Sequence, residues 1–183
     1  MKKQNMLVGF LVIMVLIFSA CGGNNKIEPN ASGNKNPGLS SFVSTDISGT
    51  NVDQTVFADH KLTMVNIWAT FCSPCIEEMP ELALLNADYA KDDFQVVGIV
   101  ADVMQGDEAG LETALSIVTL TGANYLHILS SESLLLAKLN SVQYVPETIF
   151  VDSLGNQVGE SYVGSKSYDD WSKIIESLVT EIE

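Results

Sequence analysis

Two cysteines in the stretch Cys72-Ser73-Pro74-Cys75 are the side chains of this 183-residue sequence best suited to chemistry. A thiolate attacks a disulfide sulfur, and a second thiol close by displaces whatever the first has captured. Helix onset brings positions three apart onto one face, so the two sulfurs come within disulfide distance. Pro74 suits a first helical turn, where its missing N–H has no partner in any case. Cys72 then stands at the helix N-terminus, where unpaired N–H groups and the macrodipole favour a thiolate. Two other uses stand beside redox exchange, half of a zinc site and a structural disulfide. For zinc the remaining soft ligands are Cys21, His60 and His127, with no second CxxC and no HxxxH pattern. A bridge closing so tight a loop gains little loop entropy.

The elements that must hold this pair follow from periodicity. Leu62–Trp68 is a nearly continuous apolar run, as in a strand buried on both faces, and a helical stretch follows from Pro74 to Ala90. Phe94–Val100 is a second buried strand, so the cysteines lie at the strand–helix junction of a βαβ unit, whose functional edge is at the carboxyl ends of its strands. Pro80, unable to donate to the carbonyl of Ile76, is expected to bend the helix one turn past the cysteines. Phe42–Phe57 reads as a polar hairpin turning near Ser48-Gly49. Downstream come a helix over Asp107–Leu120, a strand over Leu126–Leu129 and a short helix over Glu132–Leu139. A hairpin of Thr148–Asp152 with Gln157–Val163 follows, then a last helix capped by Ser167, its stripe of Trp171, Ile174, Ile175, Leu178 and Ile182 read as core packing. The class is α/β.

The first twenty residues stand apart from that core. Lys2 and Lys3, the apolar run Leu7–Phe18 and the small pair Ser19-Ala20 make a targeting segment, too short to cross a bilayer as a permanent helix. Phe18-Ser19-Ala20-Cys21 resembles the bacterial lipobox, which implies acylation of Cys21, although that pattern prefers Leu where Phe18 stands. Residues 21–41 are polar and rich in Gly and Asn, a flexible tether with a reach of about 25 Å on random-coil scaling. The organisation read from the sequence is thus 1–20 signal peptide, 21–41 lipid-anchored tether and 42–183 folded domain, outside the cytoplasm and held at a membrane. Nine cations, all Lys, face 23 acids, a formal charge of −14. That balance excludes a phosphate-tracking surface, and with it nucleic acid as a partner.

The block Asn66-Ile-Trp-Ala-Thr-Phe-Cys72-Ser-Pro-Cys75-Ile-Glu-Glu78-Met-Pro80, with Val145-Pro146-Glu147-Thr148 and the turn Asp152-Ser-Leu-Gly-Asn156, resembles TlpA/ResA-like thiol–disulfide oxidoreductases. These are membrane-anchored members of the thioredoxin superfamily with a redoxin-like domain, and the resemblance spans residues 42–183. It implies a thioredoxin-like fold: a central mixed β-sheet flanked by helices, with an N-terminal β-hairpin and an inserted helix–strand. It implies a cis Pro146 facing the cysteines and a backbone edge at Val145 on which a client segment pairs, whereas the residues alone allow a trans turn proline. No cofactor is implied beyond the Cys72–Cys75 disulfide. The implied partners are disulfide-containing exported clients, among them apocytochromes c and methionine sulfoxide reductases, and a membrane thiol transporter of the CcdA/DsbD type as electron donor.

Asn66 stands where cytoplasmic thioredoxins place a buried Asp. Glu78, three residues after Cys75, matches an acid the family keeps at the active site; it either manages the proton of Cys75 or merely complements the helix dipole. Glu147 is a weaker candidate for client contact or proton handling. Trp68 and Phe71 either offer an apolar contact surface or, for Trp68, fill the core. His127 reads as a satisfied core histidine and His60 as an exposed loop residue. Ser73-Pro74 places no cation between the cysteines, and Glu77 and Glu78 are close, so the couple is expected to be reducing and the activity that of a protein-disulfide reductase. Two rivals are a peroxiredoxin-like thiol peroxidase and a copper-binding Sco-like metallochaperone. The peroxiredoxin motif needs Pro and Thr where Val65 and Ala69 stand; the Sco type spaces its cysteines one residue wider and needs a histidine such as His127.

Overall fold

The computed structural model describes residues 38–182. The expected signal segment, Cys21 and most of the expected tether lie outside those residues. In chain order the elements are β1 (Val43–Thr45), β2 (Asn51–Asp53), a 3₁₀ turn (Gln54–Phe57), β3 (Leu62–Trp68), α1 (Ser73–Asp88), a 3₁₀ turn (Ala90–Asp92) and β4 (Phe94–Met104). They continue with α2 (Glu108–Thr121), β5 (Leu126–Ser130), α3 (Glu132–Ala137), a 3₁₀ turn (Leu139–Ser141), β6 (Glu147–Val151), β7 (Gln157–Val163) and α4 (Tyr168–Ile182).

The continuous hydrophobicity of β3 has a direct cause: it is the central strand of the five-stranded sheet β5-β4-β3-β6-β7, and all seven of its residues are buried. β4 runs parallel to β3, and β6 antiparallel to it. Alternate residues serve two cores. Met64, Trp68, Val96, Val100 and Phe150 pack with Met79, Leu82 and Leu85 of α1 and with Trp171, Ile175 and Leu178 of α4. Val65, Ile67, Val97, Ile99, Ile149 and Val151 face the other way, onto Leu39, Phe42, Val52, Phe57, Leu134 and Leu139.

That second core corrects two expectations. Folded chain begins before residue 42, because Leu39 is fully buried and its N–H donates to the Gly155 carbonyl at 2.7 Å. The β1–β2 hairpin, though polar in sequence, seats Phe42, Val52 and Phe57 against the sheet, and Ser44 Oγ donates to the Leu129 carbonyl at 2.7 Å. β4 also outruns its expected end at Val100, with a register shift against β5 between Val100 and Met104 that returns Val103 to the interior. The short helix stops at Ala137, and a 3₁₀ turn carries the chain on toward Pro146. α1 runs through Pro80. Ser167 caps α4 as expected, its Oγ accepting the Asp170 N–H at 3.3 Å.

Candidate active site

Cys72 ends the loop leaving β3 and opens α1. Its backbone is extended (φ −91°, ψ 94°), the N-cap conformation, and its sulfur accepts the N–H of Cys75 at 3.3 Å. A negative sulfur here faces the free donors of the first helical turn. The loop is pinned from the next strand: Thr70 donates its N–H to both Asp102 carboxylate oxygens, at 3.0 and 3.1 Å, and its hydroxyl to Oδ2 at 2.5 Å. Cys72 and Cys75 are joined as a disulfide. Cys72 keeps 5% of its surface accessible and Cys75 none, so an incoming thiolate meets Cys72.

The Val145–Pro146 peptide is cis, and the Val145 carbonyl oxygen lies 3.5 Å from Cys72 Sγ. A thiol at Cys72 has an acceptor there. Next to it opens a groove of about 270 Å³, lined by Phe71, Leu135, Leu139, Tyr144 and Val145 with Asp102 at one side. Phe71 and Tyr144 are 77% and 69% exposed, apolar surface with no place in the core.

Glu78 is buried one helical turn past Cys75 on α1. Oε1 accepts the Lys166 N–H and the Trp171 Nε1–H, each at 2.7 Å, and Oε2 lies 3.4 Å from Asn66 Nδ2. Burial pushes its carboxyl above the ordinary range, against the pull of those three donors. Asn66 also donates to Thr148 Oγ1 at 3.1 Å. The position that carries an acid in cytoplasmic thioredoxins therefore orients one here.

Two expected contact residues are placed elsewhere. Trp68 is fully buried, its ring edge-on to His127 at 5.7 Å between centroids, so it belongs to the core rather than to a docking surface. Glu147 pairs in register with Ile67, whereas Thr148 pairs with Asn66. Alternation then puts Glu147 on the sheet face opposite Glu78. There its Oε1 meets Lys138 Nζ at 2.6 Å, both side chains buried, so it offers neither client contact nor a proton to the cysteines.

His127 lies in the core, with Nε2 hydrogen-bonded to the Ala123 carbonyl at 3.0 Å; burial holds its imidazole down at about 4. His60 is half-buried rather than exposed. Among the described residues no three His, Cys, Asp or Glu side chains are grouped to hold a metal ion. Asp102, Lys166, Trp171 and Lys138 carry no signal in the sequence that marks them for the site. Their partners lie 32, 88, 93 and 9 positions away, and no local pattern announces such pairs.

A cysteine pair at the head of a helix after the central strand, faced by a cis proline before an antiparallel strand, has clear counterparts. The family model for redoxin matches residues 25–172. The chain belongs to the redoxin family. Among curated relatives, the thiol-disulfide oxidoreductase ResA of Bacillus cereus is 32% identical over 109 residues, covering 56% of this chain and 60% of the relative. Among solved structures, a thiol:disulfide interchange protein of the thioredoxin family from Chlorobium tepidum superposes with a TM-score of 0.65 at 23% identity, over 78% of this chain and 95% of that one. StoA from Bacillus subtilis does so with a TM-score of 0.57 at 15% identity, over 74% and 96%. These superpositions establish the thioredoxin-like fold, with its central mixed sheet, flanking helices and small N-terminal hairpin sheet.

Proposed function

We propose that this redoxin-family protein is an extracytoplasmic, lipid-anchored thiol–disulfide oxidoreductase that reduces disulfides in exported clients. The observation that carries the reading is a disulfide with one reachable sulfur, Cys72, at a helix N-terminus beside the Val145 carbonyl. In the reduced protein the Cys72 thiolate attacks a client sulfur, forming a mixed disulfide while the other client sulfur leaves as a thiolate. Cys75 then gives up its proton and attacks Cys72, the Cys72–client bond breaks, and the second client sulfur leaves. Two electrons pass from the dithiol to the client, and the Cys72–Cys75 disulfide is regenerated.

Glu78 is the group proposed to receive the Cys75 proton, since it lies one helical turn on, and burial raises its carboxyl above the ordinary range, which makes it a stronger base than an exposed glutamate. Phe71 and Val145 contact the client. The absence of a cation between the cysteines, with Glu77 and Glu78 following, favours the disulfide over the dithiolate and makes the couple reducing. Electrons must be restored from outside this chain, and a membrane thiol transporter of the CcdA/DsbD type has the matching chemistry. Apocytochromes c and methionine sulfoxide reductases fit as clients.

Trapping tests the reading. A Cys75→Ser variant is expected to accumulate mixed disulfides through Cys72 with exported proteins, released by dithiothreitol. Equilibration of the wild type in glutathione buffers is expected to give a potential near that of thioredoxin, about −270 mV. No captured client, or a potential near that of oxidising folding enzymes, refutes the reductase.

A further inference from the structure

The buried Lys138–Glu147 ion pair is left unused by the mechanism above. Nζ and Oε1 are 2.6 Å apart, with the side chains only 6% and 8% exposed. The two residues are nine positions apart in sequence. Between them the chain makes the Leu139–Ser141 turn, whose Ser141 N–H and hydroxyl both return to the Lys138 carbonyl at 3.0 and 2.7 Å. It then lines the groove with Val142, Gln143 and Tyr144 and presents the Val145 carbonyl to Cys72. The ion pair thus ties the first residue of the client-facing segment to the last.

Its position excludes a direct part in chemistry. Glu147 lies on the face of the sheet away from Glu78 and is too buried to meet a client. Burying both charges is costly, and an apolar pair of similar volume commonly serves stability as well or better. What an ion pair adds is direction. Its hydrogen bond has a narrow range of favourable distance and angle, whereas apolar contacts slide with little penalty.

We propose that the Lys138–Glu147 pair is a positioning device that fixes where Val145 offers its backbone to an extended client segment, and so sets affinity for peptide disulfides without governing attack on small ones. This rests on the oxidoreductase reading. A client held by strand-like pairing depends on the placement of Val145, whereas a small disulfide needs only the Cys72 sulfur.

The test compares pre-reduced wild type with the K138M/E147L variant in single-turnover reactions, followed by tryptophan fluorescence. One substrate is hydroxyethyl disulfide, the other a cystine-bridged peptide long enough to pair along Val145. The variant is expected to react with the small disulfide at the wild-type rate. Its half-saturating concentration of peptide is expected to rise about tenfold, with the saturating rate within about twofold. Restoration of peptide affinity in the charge-reversed K138E/E147K variant completes the support. An unchanged half-saturating concentration overturns the proposal, and so does an equal loss toward both disulfides, which reports general damage. Should these variants fail to fold, Lys138→Gln decides by amide hydrogen exchange. Faster exchange confined to residues 139–145 supports the device, and unchanged exchange there refutes it. If wild-type dithiol reacts with neither disulfide, the oxidoreductase reading falls and takes the proposal with it.

Discussion

Replacing Glu78 by Gln removes a proton site while keeping an oxygen to receive the two donors on Oε1. Each of those bonds, from Lys166 N–H and Trp171 Nε1–H, is 2.7 Å long and aimed at a buried carboxylate. Losing the charge on the acceptor weakens each by about 1 kcal/mol. Relief from charging a desolvated carboxyl offsets this, so E78Q is expected within about 1 kcal/mol of wild type at neutral pH. Glu78→Ala instead strands both donors in the interior, at about 2–6 kcal/mol in all. The sign with pH is set by burial. The folded-state carboxyl is raised above its ordinary 4.5, so its contribution to stability is full below that value and is lost as pH rises through the folded value. E78Q lacks this dependence, and its stability relative to wild type is expected to improve as pH rises. For activity, the resolving step can be isolated by loading Cys72 with thionitrobenzoate and recording its release by stopped-flow absorbance as Cys75 attacks. Loss of a positioned base is expected to slow release about 100-fold near pH 7 and to erase the limb of the pH–rate profile that belongs to Glu78. A profile and rate unchanged in E78Q refute the assignment and leave Glu78 as a carboxylate that ties α1 to α4.

Two further outcomes test the packing behind the site. A Cβ at Gly98 would stand 2.3 Å from His127 Nδ1 and 3.1 Å from Trp68 Nε1, so Gly98→Ala is expected to destabilise by about 1–3 kcal/mol in denaturant titration. Wild-type stability would show that the two rings have slack. His127 is held at about 4 against an ordinary 6.5, so the folded state resists a proton that the unfolded chain accepts, and stability is lost as pH falls across that span, by about 3 kcal/mol. Glu78 acts with the opposite sign, so the comparison is made in E78Q, where His127→Gln is expected to flatten the acid limb; a limb that persists assigns it to other groups.

Much of the machinery is local, and local features are legible in sequence. The cysteine spacing, Pro74 in the first turn, the apolar run before them and the Ser167 cap each depend on neighbours within a turn or two, and each element formed where the pattern put it. β3 shows where such reading ends. A strand buried on both faces carries no hydropathy alternation, so nothing in Leu62–Trp68 says which residues look toward the cysteines. Register with β6 decides it, sending Thr148 to Asn66, which also meets Glu78, and sending its neighbour Glu147 to Lys138 on the far side. The donors to Glu78 come from chain 88 and 93 positions away, brought there by the packing of α4 on α1. Residue type and spacing determined which atoms can exchange electrons. Only the folded chain decided which buried acid stands behind them, because facing across a sheet and docking of distant helices are properties of the packed whole.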